Sequence, residues 1–159
     1  MNIRIANEAD LTDLVSMVSL SLTNEYLNYD SDDLSNDVSI WVNGSDHIVI
    51  IATTPQDKII GFCLLCKSGT SIDGDGWLNV QPIFVITEHQ SRGVGQLLLS
   101  EAKEYGNLTA FIHPENIQSV KLFSKSGFAK GIECIDGDNI RSDEFVYPDS
   151  GLTLPRQWD

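Results

Sequence analysis

The sequence predicts one α/β domain of the α+β type, in which helices pack on a mixed, mostly antiparallel sheet. Two β-branched runs, residues 48–53 and 58–67, are joined by a short turn with a proline, which is typical of an antiparallel hairpin. Amphipathic helical patterns precede and follow these runs, so helices can cover the sheet. Pro82 interrupts the strand predicted over residues 77–86, because proline has no N–H to donate within a sheet.

The first half of the chain is predicted to place a short strand and two helices before the hairpin. Residues 3–6 form the strand, and Asn7 can cap a helix whose apolar residues recur at helical spacing. Ser31 can cap a second helix, which ends near residues 43–44. After the hairpin, a turn over residues 68–76 leads into the long strand.

The second half is predicted to add two helices and three strands. The apolar stripe of the first of these helices consists of Val94, Leu97, Leu98, Ala102 and Tyr105. The later elements are a strand over 108–113, a helix over 115–126 that ends at Gly127, and a closing hairpin of 128–135 and 143–147.

A length of 159 residues suits a single domain, large enough to bury about two-thirds of its unfolded surface. We expect this domain to span residues 1–147. The tail, residues 148–159, has no periodicity and is either a loose end or a strap docked through Trp158. No signal-peptide pattern is present, and the longest aliphatic run is too short to cross a bilayer. We therefore expect a cytoplasmic protein without membrane contact.

The chain is strongly acidic, with 10 Lys and Arg against 23 Asp and Glu and a formal net charge of −13. Such a field repels nucleic acid and attracts cations, which favours an amine as the substrate and argues against a nucleic-acid partner. An acidic surface also serves solubility, so charge alone does not identify a substrate. The sequence leaves open whether the protein forms a homodimer.

Three cysteines and two Asp/Gly-rich segments raise the question of a metal site. Cys63 and Cys66 are three apart on a predicted strand, so their thiols should point to opposite faces. We interpret them and Cys134 as core cysteines. Residues 73–76 and 136–139 lack the third ligand and the closing glutamate of a calcium loop, and are predicted to be hairpin turns. The sequence therefore predicts no metal site.

The loop Gln90-Ser-Arg-Gly-Val-Gly95 is the most informative segment, because it joins a predicted strand to a helix. Its two glycines permit backbone angles that turn N–H groups toward an anion at a helix N-terminus, and Arg92 adds a positive charge. A Walker loop would continue with Gly-Lys-Ser/Thr, and a dinucleotide fingerprint would have a third glycine. Gln96 and Leu98 exclude both. The loop therefore indicates a different pyrophosphate cradle.

A second motif, Asn-Ile-Gln-Ser-Val-Lys-Leu-Phe-Ser-Lys-Ser-Gly-Phe, runs from Asn116 to Phe128. Together with the upstream Gln-x-x-Gly-x-Gly loop, it resembles the GNAT superfamily of acyl-CoA-dependent N-acetyltransferases. The resemblance covers nearly the whole chain, because residues 3–6 and the following helix are similar to that family's opening strand and helix. It implies about seven strands and about four helices, with a bulged fourth strand that splays from the fifth.

The same resemblance implies acetyl-CoA as the cosubstrate and assigns its contacts. Backbone groups of the bulged strand would bind the pantetheine arm and the thioester oxygen, and the glycine loop would bind the diphosphate. Asn116 would lie near the pantetheine arm or cap its own helix, and Lys125 would reach a phosphate or remain solvated. The implied contact residues are Phe84, Val85, Ile86, Gln90, Ser91, Arg92, Gly93, Val94, Gly95, Gln96, Asn116, Ser119, Phe123 and Lys125.

Two departures from the family pattern concern catalysis. Phe123 stands where members frequently carry a tyrosine that protonates the leaving thiolate, and Asn79 and Gln81 stand where members often carry a glutamate base. The general acid and base are therefore unassigned. The residues that could replace them are His113, which is the best placed, Glu88, Tyr26, Tyr29 and Tyr147.

The resemblance implies acetylation of a primary amine, and the acidic charge favours a small cationic one. One alternative is a protein or peptide N-acetyltransferase, which would need an open groove. Another is a non-catalytic acyl-CoA-binding module, and the missing tyrosine and carboxylates favour that alternative.

Overall fold

A computed structural model describes residues 1–24, 26, 31–67 and 77–147. The predicted turn at 68–76, Tyr29 and the tail with Trp158 lie outside these residues, so the domain boundary at residue 147 stays a prediction. The strands are β1 (Asn2–Ile5), β2 (His47–Thr53), β3 (Ile59–Cys66), β4 (Trp77–Val85), β5 (Asn107–Ile112), β6 (Ala129–Ile135) and β7 (Arg141–Tyr147). The helices are α1 (Leu11–Ser21), α2 (Leu34–Asn43), α3 (Val94–Ala102) and α4 (Ile117–Lys125).

The seven strands form one sheet in the order β1-β2-β3-β4-β5-β7-β6. Every neighbouring pair is antiparallel except β4 and β5, which run parallel. The predicted mixed, mostly antiparallel sheet with four helices is confirmed. None of the helices in the described part of the chain is long and apolar enough to cross a bilayer.

Two hydrophobic cores form, one on each face of the sheet. Leu14 of α1 and Trp41 of α2 are buried on one face, and Leu98 of α3 and Phe123 of α4 are buried on the other. Since successive strand residues point to opposite faces, Cys63 lies in the α3/α4 core and Cys66 packs against the α1/α2 core. The predicted divergence of these two thiols is confirmed, and both are free cysteines.

The predicted interruption of β4 appears as a bulge beside Pro82. Cys63 of β3 pairs with Ile83, and Leu65 pairs with Val80, so two steps along β3 correspond to three along β4. The extra residue falls at the proline, which cannot take part in a regular ladder. The bulge that the sequence predicted is confirmed.

Beyond the bulge, β4 separates from β5. The two strands pair only from Trp77 to Asn79 on β4 and from Asn107 to Thr109 on β5. The remainder of β5 pairs with β7 on its other side, so the second half of β4 has no neighbour there among the described residues. This gap is the predicted splay, and it leaves main-chain groups of β4 available to a ligand.

The predicted cap of the second helix is wrong. α2 begins at Leu34, and the carboxylate of Asp33 accepts the hydrogen bond from the Asn36 N–H at 3.1 Å. Ser31 instead donates from its hydroxyl to the carboxylate of Asp37. Asp33 rather than Ser31 caps the helix because it immediately precedes the first helical residue. From that position a side chain can reach the N–H groups of the first turn.

The predicted apolar stripe of α3 is only partly correct. Leu97 and Tyr105 are 45% and 39% exposed, and Leu99 is fully buried in their place. At about 100° per residue, Leu97 and Leu99 flank the stripe on opposite sides, and contact with the sheet selects Leu99. The helix also tightens into a 3-10 turn at Lys103–Tyr105, which changes the direction in which Tyr105 points.

Candidate active site

A cleft of about 340 Å³, here called the cofactor cleft, runs from the end of β4 past the glycine loop to α4. It is lined by Asn24, Ile83, Phe84, Val85, His89, Gln90, Ser91, Gly93, Val94, Gly95, Gln96, Asn116, Gln118, Ser119, Lys121, Leu122 and Lys125. All the cofactor residues implied by the sequence belong to this set except Ile86, Arg92 and Phe123. The cleft therefore brings the two motifs of the sequence together.

The glycine loop adopts the left-handed backbone that its sequence predicts. Ser91 has φ 62 and Gly93 has φ 82, and Gly93 precedes the first residue of α3 without a capping side chain. The first bond of the helix runs from the Leu97 N–H to the Gly93 carbonyl oxygen at 3.0 Å. The N–H groups of the preceding three residues have no acceptor within the helix and can meet an anion in the cleft.

Gly95 is needed for packing rather than for backbone conformation. A Cβ added there would lie 3.0 Å from the side chain of Leu122 on α4. The glycine therefore lets α3 and α4 approach closely beside the cleft.

Gln90 connects β4 to α4 through its side-chain amide. Its Nε2 donates to the Val85 carbonyl oxygen at 2.9 Å, and its Oε1 accepts from Gln118 Nε2 at 3.1 Å. The sequence assigned Gln90 to the diphosphate, and the structure adds this bridging contact. Gln118 was missed, because nothing in the linear pattern shows that it faces residue 90.

The main-chain N–H and C=O groups of every second residue at the end of β4 point into the gap between β4 and β5. The Ile86 N–H donates to the Ile60 carbonyl oxygen at 2.9 Å, so Ile86 directs its main-chain groups toward β3. Because this direction alternates along an antiparallel strand, Ile83 and Val85 direct theirs away from β3, into the gap. The Val85 carbonyl is bonded to Gln90, which leaves its N–H as a donor. Ile86, implied as a contact, uses its N–H within the sheet.

Two lysines supply positive charge to the cleft. Lys121 and Lys125 lie one turn apart on α4 and both line it, whereas Arg92 is exposed and does not line it. The sequence missed Lys121, although its spacing of four from Lys125 could have indicated it. Asn116 lines the cleft and also caps α4, since its side chain accepts from the Ser119 N–H at 3.3 Å.

Phe123 is a core residue in this structure. It is 2% exposed, its ring meets that of Phe128 edge to face with centroids 4.9 Å apart, and Phe145 lies 6.4 Å away. Its role in this structure is therefore to pack the core between α4 and the sheet. The structure does not bring the ring to the wall of the cofactor cleft, so its position beside the sulfur stays a prediction.

A second cavity of about 400 Å³ lies on the α1/α2 side of the bulge. It is lined by Val18, Ser21, Leu22, Tyr26, Trp41, His47, Leu64, Cys66, Asn79, Val80, Gln81, Pro82, Phe111 and Ser142. Residues 79–82 of β4 line this second cavity, and residues 83–85 line the cofactor cleft. The bulged strand thus passes directly from one cavity to the other.

Chemically reactive groups in the second cavity are few. Burial raises the pKa of the Cys66 thiol to about 11, so the thiol is neutral at physiological pH. The other residues described around the second cavity are His47 and residues with apolar, aromatic or uncharged polar side chains. No Asp or Glu is among the described lining residues. Nor do the residues described elsewhere contain a group of three or more His, Cys, Asp or Glu that could hold a metal.

The predicted catalytic substitutes are spread over three places. Tyr26 lines the second cavity, donates from its hydroxyl to the Glu115 carbonyl oxygen at 3.3 Å, and lies 5.4 Å from the His113 ring. His113 Nδ1 in turn accepts from the Glu115 N–H at 3.1 Å. Glu88 is exposed, and Tyr147 packs on Phe128, and neither lines either cavity. Of the candidate acid and base residues that the structure describes, only Tyr26 lines one of the two cavities.

Comparisons with known proteins agree with this arrangement. A family model described as an acetyltransferase (GNAT) domain matches residues 44–130. No curated protein matches the chain. Solved structures do match it, at identities that show the fold alone.

One such structure is an acetyltransferase of the GNAT family from Streptococcus pneumoniae, 20% identical with a TM-score of 0.71, covering 91% of this chain and 96% of that chain. NAA60 of Arabidopsis thaliana in complex with acetyl-CoA is 19% identical with a TM-score of 0.71, over 92% and 97%. A mutant of the spermidine N-acetyltransferase SpeG from Vibrio cholerae is 14% identical with a TM-score of 0.70, over 92% and 94%. Because the family model spans more than half of the sequence, the chain belongs to the GNAT family of acyl-CoA-dependent N-acetyltransferases.

Proposed function

We propose that the protein transfers an acetyl group from acetyl-CoA to the primary amine of a small cationic acceptor that enters the second cavity. The observation that supports this most strongly is the bulged β4 strand, which borders both cavities within a few residues. A donor held on one side and an acceptor held on the other can then meet at the gap, where proximity alone contributes much of the rate.

The residues of the cofactor cleft suit an acetyl-CoA molecule. The uncapped N-terminus of α3 and the open space at Gly93 can accept the diphosphate, and Lys121 and Lys125 can balance phosphate charge. When bound, acetyl-CoA supplies a thioester, whose carbonyl carbon is the electrophile. In this proposal the Val85 N–H donates to the thioester oxygen, and such a donor is worth about 3 kcal/mol.

A cationic acceptor first loses one proton to water, because only the neutral amine has a lone pair with which to attack. The transfer itself then requires the loss of a second proton from nitrogen and the gain of one proton by sulfur. The amine nitrogen attacks the carbonyl carbon, the new C–N bond forms, the C–S bond breaks, and the thiolate takes up a proton. Neither Asn79 nor Gln81 can remove the amine proton, so in this proposal it leaves through water in the second cavity. Tyr26 is the proposed proton donor to the thiolate, because it alone of the described substitutes lines a cavity.

A protein or peptide acceptor is the second candidate within the same chemistry. It would require an open groove, whereas the residues described around the second cavity form a pocket of about 400 Å³. That volume suits a small molecule. A non-catalytic acyl-CoA-binding module is the third candidate, because no carboxylate occupies positions 79 and 81.

Acetyl-CoA-dependent thiol release separates these three candidates. Small primary amines and short peptides with free N-termini are supplied as acceptors, and CoA binding is measured on the same preparation by calorimetry. We expect release with small amines that exceeds release with peptides. Faster release with peptides would favour the second candidate, and CoA binding without release from any acceptor would favour the third.

A further inference from the structure

The side chain of Gln90 makes two hydrogen bonds in the cofactor cleft, where the end of β4, the glycine loop and α4 meet. Its Nε2 donates to the Val85 carbonyl oxygen of β4 at 2.9 Å, and its Oε1 accepts from Gln118 Nε2 of α4 at 3.1 Å. Its main chain belongs to the glycine loop and directly precedes Ser91, whose backbone is left-handed. One residue therefore joins the strand end, the loop and the helix.

The turn between β4 and the glycine loop makes this arrangement possible. A 3-10 turn, Thr87–His89, follows the strand. The Gln90 N–H donates to the Thr87 carbonyl oxygen at 3.2 Å, so the turn brings Gln90 back toward the strand end. The glutamine amide offers both a donor and an acceptor, and it can therefore bond to β4 and to α4 at once.

The Val85 carbonyl needs a partner because it points into the gap between β4 and β5. The N–H and C=O of one strand residue point in the same direction, so both groups of Val85 face the space in which the thioester would lie. A carbonyl oxygen there is the negative end of a dipole, and it opposes the negative charge that develops on the thioester oxygen during attack. Gln90 Nε2 covers this oxygen. What remains at Val85 is the N–H donor.

The two hydrogen bonds of Gln90 should differ in importance. The bond to Val85 is partly buried, whereas the bond to Gln118 is exposed to solvent. A bond that competes with water adds little, while a partly buried main-chain carbonyl that loses its partner is costly. The contact with Val85 is therefore the functional one, and Gln118 steadies the amide that makes it.

We propose that Gln90 is a positioning residue for acetyl transfer, which holds the end of β4 so that the Val85 N–H meets the thioester oxygen. In this proposal the Gln90 side chain acts through Val85 and not through a direct contact with the diphosphate. Such a donor is effective only when it is fixed in the direction of the developing charge, and a displacement of about 1 Å can cost about 100-fold in rate. The inference rests on the proposed function and adds a residue to its mechanism.

Infrared spectroscopy of bound acetyl-CoA tests this role directly and needs no acceptor. The carbonyl carbon of the thioester is isotopically labelled, and subtracting the spectrum of the unlabelled complex isolates its stretching band. A hydrogen bond to the oxygen lowers the frequency of that band. We expect a downward shift on binding to the wild type and a clearly smaller shift with Gln90→Met, whose flexible side chain has a similar length but no N–H to donate. An equal shift in a folded Gln90→Met protein, or no shift with the wild type, would overturn the proposal.

Kinetics separates positioning from cofactor binding. Thiol release is measured with the fastest amine of the acceptor panel, and the Kd of CoA is measured by calorimetry. Gln90→Met should lower kcat by about 10- to 100-fold and change the Kd by about twofold at most. The opposite result, a weaker Kd with an unchanged kcat, would show that the side chain binds the diphosphate and would overturn the proposal. If both values change, the infrared shift decides.

Three further variants assign the effect to one hydrogen bond. Gln90→Arg keeps a donor for the Val85 carbonyl but cannot accept from Gln118, and it should recover most of the infrared shift and of kcat. Gln118→Met removes only the exposed bond and should lower kcat much less than Gln90→Met. Gln56→Met, in the exposed turn between β2 and β3 and outside both cavities, is the matched control and should behave like the wild type. A Gln90→Arg protein as impaired as Gln90→Met would also overturn the proposal.

The same measurements distinguish this inference from the proposed function. A wild-type infrared shift that Gln90→Met loses, without thiol release from any amine, would refute catalysis and support the positioning role. Turnover by the wild type, with an unchanged shift and kcat in Gln90→Met, would refute the positioning role and support catalysis.

Discussion

Gly93 and Gly95 lie in one motif but are glycines for different physical reasons, one for its backbone conformation and the other for close packing. At Gly93 the backbone has φ 82, a conformation that side chains disfavour, while a Cβ would meet nothing within 4 Å. At Gly95 the difficulty is the 3.0 Å approach of Leu122. A substitution at Gly93 therefore acts on the loop backbone and on the anion site, and one at Gly95 acts on the packing of two helices.

We predict that Gly93→Asp reduces CoA affinity by roughly 100-fold, because it adds backbone strain and places a negative charge beside the diphosphate. Gly93→Ala carries the strain without the charge and should lose less. Gly137→Asp adds the same charge in open space in the β6–β7 turn and should bind CoA normally. Calorimetry with CoA is the measurement, and undiminished binding by a folded Gly93→Asp protein would refute the assignment of the loop.

Phe123 gives a prediction that separates packing from catalysis. Phe123→Ala removes a ring that is 2% exposed, and it should lower the free energy of unfolding by about 3 to 5 kcal/mol. Tyr105→Ala removes a ring that is 39% exposed and should cost less than about 1 kcal/mol. Denaturant unfolding measures both values.

If the ring lies beside the sulfur, as the family resemblance implies, Phe123→Tyr should be at least as active as the wild type, because its hydroxyl would restore a proton donor there. Thiol release measures this activity. An inactive Tyr variant with normal folding and acetyl-CoA binding would show that the ring does not lie beside the sulfur.

At the scale of the elements, the features that could be predicted were those with a local cause. Pro82 cannot continue a ladder, and the bulge is found there. Asn116 precedes α4 and caps it, as a short polar side chain at that position should. The glycine loop at the start of α3 also has a local cause, because Gly93 takes the left-handed backbone conformation directly before the helix.

What the sequence could not predict depends on contacts between distant segments. His47, Cys66 and Asn79 lie side by side on β2, β3 and β4 only because of the registers of two strand pairs. Nothing in the linear spacing of the three residues reveals this arrangement. The bridge from Gln90 to Gln118 likewise joins a loop to a helix across the cleft. The choice between Leu97 and Leu99 was equally balanced in the helical pattern, and only the position of the sheet decided it.

A partly buried ion pair between Arg4 and Asp10 holds the junction of β1 with α1. Asp10 accepts hydrogen bonds from Arg4 at 2.7 and 2.9 Å and from the Asn7 N–H at 2.8 Å. The hydrogen bonds from Arg4 hold the pKa of Asp10 below its usual value, and they outweigh the opposing effect of burial. A lowered folded-state pKa means that this stabilisation is present above the unfolded-state pKa of about 3.9 and is lost as the pH falls through the folded-state value.

Asp10→Asn should therefore lower the Tm at neutral pH, and the difference from the wild type should shrink as the pH falls below about 4. Asp13→Asn removes an exposed carboxylate from the same region and should change the Tm little at any pH. Thermal unfolding followed by circular dichroism over this range measures both. A Tm difference that persists unchanged at low pH would show that the ion pair is not its cause.

At the scale of the whole molecule, the charge distribution acts in opposite ways on the anionic cosubstrate and on a cationic amine. The net charge of −13 repels an anionic cofactor at long range, while Lys121 and Lys125 offer it local positive charge in the cleft. A cationic amine meets the opposite situation, since the global field attracts it and the second cavity has no carboxylate among its described lining residues. Amine capture should therefore depend on long-range attraction rather than on a contact ion pair.

Long-range attraction is the kind that salt removes, because the Debye length falls from about 30 Å at 0.01 M to about 3 Å at 1 M ionic strength. We therefore predict that the KM of a cationic amine rises several-fold with added KCl, while kcat stays nearly constant. An aromatic amine that is uncharged at the assay pH should show no such rise, which controls for effects of salt on the protein and on acetyl-CoA. Initial rates of thiol release at saturating acetyl-CoA provide the measurement. A KM that is independent of ionic strength, together with a preference for neutral or anionic acceptors, would mean that the acidic surface serves solubility alone.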